Sequence, residues 1–258
     1  MGNKHKIADM SVLLEETPIT YYWLGFLMAD AHFYKRGAIK LHLAEADREQ
    51  INKFRSFVHY TGKAKSCTMN AMNPPIVKAI REKFGISNRK TYEPCRINWI
   101  KNTDLLFALV VGMLDGDGNI RLRRRAVSTI EMKLHGNWLN NLQFIEQFLY
   151  DYFDLEKINN VHLARLRKDG YAVLILSDRY LLACMRKKSE ELNLPVMERK
   201  WREVDRDFIS PFRAYRERAP KILALVKQGL KHKVIAQMLG VSVAVVSTTL
   251  YRERKKSA

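Results

Sequence analysis

The chain is short of acid: among its 258 residues, 27 Asp and Glu face 45 Lys and Arg, a formal net charge of +18 at pH 7. That excess is beyond what solubility needs and points to a polyanion, either nucleic acid or an anionic membrane surface. Cysteine is also scarce. Cys67, Cys95 and Cys184 are isolated, with no CxxC or Cys/His ligand spacing, which argues against a disulfide framework or a zinc site and leaves reduced thiols. No Ser, His or Cys arrangement suggests nucleophilic catalysis, and no glycine-rich loop matches a nucleotide fold. No apolar run reaches the roughly 18 residues that a membrane span needs. No long amphipathic basic helix favours a membrane surface either. The opening MGNKHK has Lys6 where myristoylation prefers serine or threonine, and no apolar signal segment follows, so the expected location is intracellular, with no membrane partner. What is present is ordinary for a soluble protein, 47% apolar and 28% charged, enough for one large or two modest domains with a real core.

The chain is organised around Leu105 to Ile120, LLFALVVGMLDGDGNI, an uncharged run that meets two aspartates separated by one glycine. Residues Trp23 to Ala31, WLGFLMADA, echo it: laid on Val110 to Gly118, they place Gly25 on Gly112 and Asp30 on Asp117, both at an offset of 87 (112−25 and 117−30). Both runs predict core helices, opened by the capping candidates Thr20 in the first and Asn102, Thr103 or Asp104 in the second. A mid-helix glycine costs roughly 0.5–1 kcal/mol relative to alanine, and close approach of two backbones is the obvious compensation. If Gly25 faces Gly112, the helices touch and Asp30 and Asp117 emerge together at their C-terminal ends. A helix C-terminus is already partly negative, so two carboxylates there call for a cation between them. Hard oxygen ligands select magnesium, manganese or calcium.

These two stretches resemble the paired motif of the LAGLIDADG homing endonucleases, in the single-chain form with two copies. Met28 replaces the earlier aspartate of the first copy and Ala31 its final glycine, while the metal-binding acid, Asp30, is kept. The resemblance implies a fold of αββαββα half-domains, metal shells completed by the backbone carbonyls of Ala29 and Gly116, and a lysine beside the active site just after each half's last helix. The matching segments, GISNRK at 85–90 and PVMERK at 195–200, place those lysines at Lys90 and Lys200.

Hydrophobic periodicity gives the rest of the first half as a hairpin with Ile39, Leu41 and Leu43 on one face and Lys40 and His42 on the other. A helix capped by Asp47 carries Ile51, Phe54 and Val58 and ends near Gly62; a weak strand pair over 63–72 and a helix opened by Pro75 follow. The second half repeats the order: NIRLRRR and AVSTIEMKLH as a hairpin, a helix with Leu142, Ile145 and Leu149 in register, then INNVHLARLR and YAVLILS around an Asp169–Gly170 turn, and a helix near 178–192. The expected fold class is α+β: two pseudo-symmetric αββαββα half-domains, 1–101 and 102–218, joined into a DNA-binding saddle, plus a small all-α tail, 219–258. In the tail, Ala236, the Gly240 turn, a Ser242 cap and buried Ile235, Leu239, Val241 and Val246 resemble a helix-turn-helix, with Thr249 unusually polar for its buried position. Its second helix offers Ser247, Thr248, Tyr251 and Arg252 to a major groove.

Strand alternation sends Ile120 and Leu122 toward the helices and Arg121, Arg123 and Arg125 toward DNA, where arginine reads guanine edges or holds phosphates. Lys35, Lys40, His42, Lys133, Arg165 and Arg167 are further expected contacts. The reading is a monomeric, site-specific double-strand DNA endonuclease with a long target. It uses Mg2+, Mn2+ may substitute, and Ca2+ is expected to support binding without cleavage. Asp30, Asp117, Lys90 and Lys200 are the catalytic set. A non-cleaving DNA-binding regulator and an RNA intron maturase are the alternatives; retention of both acids weighs against the first and the tail against the second.

Overall fold

The computed structural model describes residues 8–62, 67–121, 129–155, 163–208 and 211–257. The chain divides into two compact units, Met1–Arg206 and Asp207–Ala258.

In the first unit the motif helices are α1, Pro18–Asp30, and α4, Thr103–Asp117. Both are apolar on every side and are buried accordingly, α1 from Thr20 to Met28 and α4 from Leu105 to Asp115. Asn102 caps α4 as expected, its side chain accepting from the amides of Asp104 and Leu105 at 3.0 and 3.2 Å. The cap of α1 is Thr17 and not Thr20. Pro18 supplies the first helical residue, where its missing N–H is not needed, and Thr20 lies one turn in, its hydroxyl donating to the Val12 carbonyl at 3.0 Å.

The two helices cross at their glycines. A Cβ on Gly25 would stand 2.0 Å from the Leu109 carbonyl oxygen, and one on Gly112 would stand 1.9 Å from that of Tyr22. Each glycine therefore seats the opposite backbone, and the two glycines do not face each other. Further along, a Cβ on Gly116 would lie 2.3 Å from Cβ of Ala29, so the helices stay in contact up to the acids.

Each motif helix feeds an antiparallel sheet. In the first half, β1 (Ala31–Phe33), β2 (Ala38–His42) and β3 (Thr68–Met72) lie in that order. Ile39, Leu41 and Leu43 are buried and Lys40 and His42 exposed, as alternation requires. One strand stands where a pair was expected over 63–72; residues 63–66 lie outside the described ones. Helix α2, Arg48–Phe57, buries Ile51 and Phe54, with Val58 behind them, and ends before Gly62, at a positive-φ His59. Helix α3, Pro74–Phe84, starts one proline earlier than expected and stops at Gly85 in the left-handed region.

Among the described residues the second half has four strands in the order β4 (Gly118–Arg121), β5 (Thr129–His135), β7 (Tyr171–Leu176), β6 (Arg165–Leu166). Met132 pairs with Gly118 and with Leu174, which puts Ile130, Met132, Leu174 and Leu176 on the core face. Helix α5, Leu139–Tyr152, packs Leu142, Ile145 and Leu149 inward; α6, Arg179–Glu191, is capped by Asp178; α7, Glu198–Trp201, follows at once. The predicted NIRLRRR strand is described only to Arg121, and Leu122, Arg123 and Arg125 lie outside the described residues.

The second unit contains α8 (Pro211–Lys227), α9 (His232–Met238) and α10 (Val243–Ser257). Its core joins Ile222, Ile235, Ala236, Val246 and Leu250, with Leu239 and Val241 packed against them. Gly240 takes φ 63°, Ser242 Oγ accepts from the Val245 amide at 3.3 Å, and α9 and α10 are inclined by 110°. Residue 219 is inside α8 and not at a boundary. Pro220 lies inside the helix, which continues through it. Among the described residues no single helix is long and apolar enough to cross a membrane.

Candidate active site

Asp30 and Asp117 are the last residues of α1 and α4. The contact between Gly116 and Ala29 brings the ends together, and a Cβ on Gly116 would be 3.4 Å from a carboxylate oxygen of Asp30. Both acids reach solvent, but surrounding protein leaves their ionised forms poorly hydrated. Burial, then the charge of Asp117, pushes Asp30 up to about 6, while Lys200 and Lys90 pull it down and Asp47 pushes again. Burial also raises Asp117, which Lys90 and Lys200 counter. Both acids are thus held above the usual carboxylate range, and their mutual repulsion belongs to the pair.

The two lysines stand where the matched segments placed them. Lys90 Nζ donates to the carbonyls of Met28 and Ala29 at 2.6 and 2.5 Å. Lys200 Nζ donates to Leu114, Gly116 and Gly118 at 3.3, 3.2 and 2.6 Å, and to Asp115 O. Met28, Ala29, Asp115 and Gly116 lie in the last turns of the motif helices, at the negative ends where a cation is most stabilised, while Leu114 O also takes the Gly118 amide and Gly118 opens β4. The Ala29 and Gly116 carbonyls, expected as metal ligands, are thus lysine acceptors here. Burial lowers both ammonium pKa values, against the pull of the acids.

Two acids missed by the sequence reading belong to this neighbourhood. Asp115 is fully buried and accepts from Tyr22 Oη at 2.7 Å, Trp201 Nε1 at 2.7 Å and the Met197 amide at 2.8 Å. Asp47 does not cap α2 with its side chain but pairs with Arg199 at 2.8 Å, and its charge acts on both Asp30 and Lys200. The sequence signal for Asp115 was its offset of 87 from buried Met28, and for Asp47 there was none.

Among the described residues no group of three His, Cys, Asp or Glu side chains could hold a metal. The available donor set is two carboxylates open to solvent. That suits a cation that keeps several waters and takes its remaining oxygens from a phosphate, as magnesium does, better than an all-protein calcium cage.

Beyond the site, the outer sheet faces collect the other expected contacts. In the first half Lys40 and His42 are exposed on β2, Lys35 is exposed in the β1–β2 turn, and His42 Nδ1 lies 2.6 Å from Thr68 Oγ1. In the second, Arg121, Lys133 and Arg165 are exposed on the strands and Arg167 just beyond. Arg121 meets Glu131 at 3.3 Å, while Lys133 and Arg167 meet Asp169 at 3.1 and 3.7 Å. Exposed pairs of this kind contribute about 0–1 kcal/mol and exchange readily for phosphate. In the second unit Ser247, Thr248, Tyr251 and Arg252 are all exposed on α10, with the Arg252 guanidinium 5.3 Å from the Tyr215 ring.

These features define a two-copy repeat whose paired helix ends present an acidic couple flanked by lysines, with basic residues on the strand faces. No protein-family model and no curated protein matches the chain. In fold it is similar to solved LAGLIDADG structures: I-AabMI bound to uncleaved DNA (12% identity, TM-score 0.45, 73% of this chain and 87% of that one covered); I-GzeII in complex with a DNA target (9%, 0.45, 86% and 97%); and I-SmaMI bound to an uncleaved DNA target with calcium ions (9%, 0.44, 71% and 87%). Likeness at this depth says nothing of activity, which rests on the chain's own side chains.

Proposed function

We propose that the chain is a site-specific double-strand DNA endonuclease of the LAGLIDADG kind, acting as a monomer on the DNA of its own compartment with Mg2+ or Mn2+. The observation that carries this reading is the pair Asp30 and Asp117 at abutting ends of two repeated helices, each end neutralised by its own lysine. Two carboxylates held together against their own repulsion have little structural use, and a raised Asp30 is a usual mark of a working site. Asp30 and Asp117 would hold the divalent ions, which when bound supply Lewis-acid polarisation of a scissile phosphate and an activated water. Lys90 and Lys200 hold the helix ends neutral, favour the ionised acids and lie close enough to offset charge that develops on the phosphate. Lys40, His42, Arg121, Lys133, Arg165 and Arg167 grip the duplex across the outer faces of the two sheets. The second unit acts as a helix-turn-helix reader with Ser247, Thr248, Tyr251 and Arg252 at base edges. With a net charge of +18, affinity should fall steeply as salt rises.

The test is incubation of a randomised duplex pool with the protein and magnesium, followed by sequencing of the cut ends. A recurring long site cut on both strands, absent with Asp117→Asn, is the expected outcome. Specific duplex binding without any cut would make the chain a regulator, and preference for structured RNA over duplex DNA would make it a maturase.

A further inference from the structure

The segments that carry the two lysines are each held in part by the opposite half of the molecule, and unequally. The Lys200 segment is fixed to a buried carboxylate, which burial pushes toward its neutral form and three donors hold toward its ionised one. Asp115 takes the Met197 amide and the Trp201 indole from that segment and the Tyr22 hydroxyl from α1. Gln50 on α2 extends the clamp, its Nε2 donating to Tyr22 Oη at 2.6 Å and to the Pro195 carbonyl at 2.8 Å. Lys53 Nζ adds a bond to Val196 O at 3.0 Å, and Asp47 takes Arg199. Met197 and Trp201 are buried.

Among the described residues the Lys90 segment has no counterpart of Asp115. The position offset by 87 is Met28, an apolar side chain buried in the core. From the second half, Trp138 Nε1 reaches the carbonyls of Lys90 and Thr91 at 3.2 and 3.1 Å, Asn137 reaches Tyr92 O and Asn141 reaches Cys95 O, each at 2.8 Å. Every acceptor there is a neutral carbonyl, and Thr91, Tyr92 and Glu93 are exposed. Hydrogen bonds to an ionised acceptor are roughly twice as strong as neutral ones, and more so where water is excluded.

We propose that Asp115 is a positioning residue that locks Lys200 against the end of α4, and that its absence from the first copy makes the two half-sites unequal, so that the strand served by Lys200 is cut first. The strand order rests on the nuclease reading above; the lock on Lys200 does not.

The test compares the full chain with Asp115→Asn, which keeps the shape and removes the charge, and with Tyr22→Phe, a gentler cut in the same clamp should the first variant fail to fold. Amine-reactive ester labelling, quantified at each lysine by mass spectrometry, should show Lys200 reacting at least about 3-fold faster in the variant with Lys90 unchanged, as local release of one segment requires. Single-turnover cleavage with each strand labelled should show the parent nicking one strand first, the one slowed by Lys200→Met, and the variant slowing that strand on the order of 10-fold with the other nearly unaffected. An unchanged Lys200, or Lys90 and Lys200 loosening together, would overturn the lock, and equal slowing of both strands would overturn the order. A parent that cuts no duplex would instead remove the nuclease reading and the order with it, and the labelling would still decide the lock.

Discussion

The two halves of the first unit agree at their crossing and diverge around it. Gly25 and Gly112 admit each other's helix backbone with almost the same clearance, and Asp30 and Asp117 follow at the same distance along the chain. The sheets differ in strand number, three against four, and in what they present: His32, Lys40, His42, Asn70 and Met72 in one, Arg121, Glu131, Lys133, Arg165 and Tyr171 in the other. The difference separates two kinds of constraint. A backbone contact tolerates no side chain in either copy, whereas a solvent-facing strand position can take almost any residue that binds. A symmetric helix crossing under an asymmetric reading surface should have a non-palindromic target, which the sequences of cut ends would reveal.

The largest effect expected is at the crossing. Gly25→Ala and Gly112→Ala each push a methyl into a carbonyl oxygen of the facing helix, and overpacking of this kind costs about 3 kcal/mol or more where nothing can move aside. Urea unfolding should show the two losses to be similar. If one alanine were accepted without loss, the equivalence of the copies at their most constrained point would fail.

Next come the acids. Asp30→Asn and Asp117→Asn should each slow cleavage of one strand by at least about 100-fold, since a lost charge at the reacting phosphate is worth several kcal/mol. Duplex affinity measured in calcium should stay near that of the parent. If both variants slowed the same strand, the two acids would serve one scissile phosphate instead of one on each strand.

How much of this was legible in the sequence depends on whether a residue's role is local. The repeat was legible because glycine and aspartate recur at one offset, and the hairpin faces were legible because alternation leaves its mark on Ile39, Leu41, Lys40 and His42. The caps are half legible: Asn102 is one of three candidates before α4, while before α1 Thr20 is the expected cap and the fold uses Thr17, on the other side of Pro18. Asp115 could not be read, since an aspartate ending an apolar run looks like a solvated helix end until Tyr22 and Trp201, 93 and 86 residues away, are seen to donate to it. Asp47 and Arg199 share that difficulty at a separation of 152.

A moderate effect is expected from removing residues 207–258. Each unit has its own apolar core, so the remainder should fold. Lost phosphate contacts should weaken affinity by about 10-fold and make the salt slope shallower. Because the halves and not the tail set the chemistry in this reading, the footprint should shorten while the cut position and the ratio of the two strand rates stay fixed. An unaltered footprint and salt slope would make the tail a packing element, and an altered strand ratio would tie it to the centre.

The smallest effect distinguishes Asp30 from Asp117 by stability. Burial, then the charges of Asp117 and Asp47, raises Asp30 from 3.8 to about 6, so between those values the folded state binds a proton that the unfolded chain does not. Stability from this group is therefore complete below 3.8 and is lost as pH rises through about 6, the direction opposite to that of a salt-bridged carboxylate. Asp30→Asn cannot ionise and escapes the loss. Its melting temperature should match the parent near about pH 4 and exceed it by roughly 1–2 °C at about pH 7, the solvent access of the carboxylate keeping the gain small. Cleavage by the parent should run the other way, rising through about pH 6 as Asp30 becomes able to bind a cation. A melting gain that did not change with pH would mean that the asparagine stabilises by packing, and the repulsion between the two acids would then have no measurable weight in the fold.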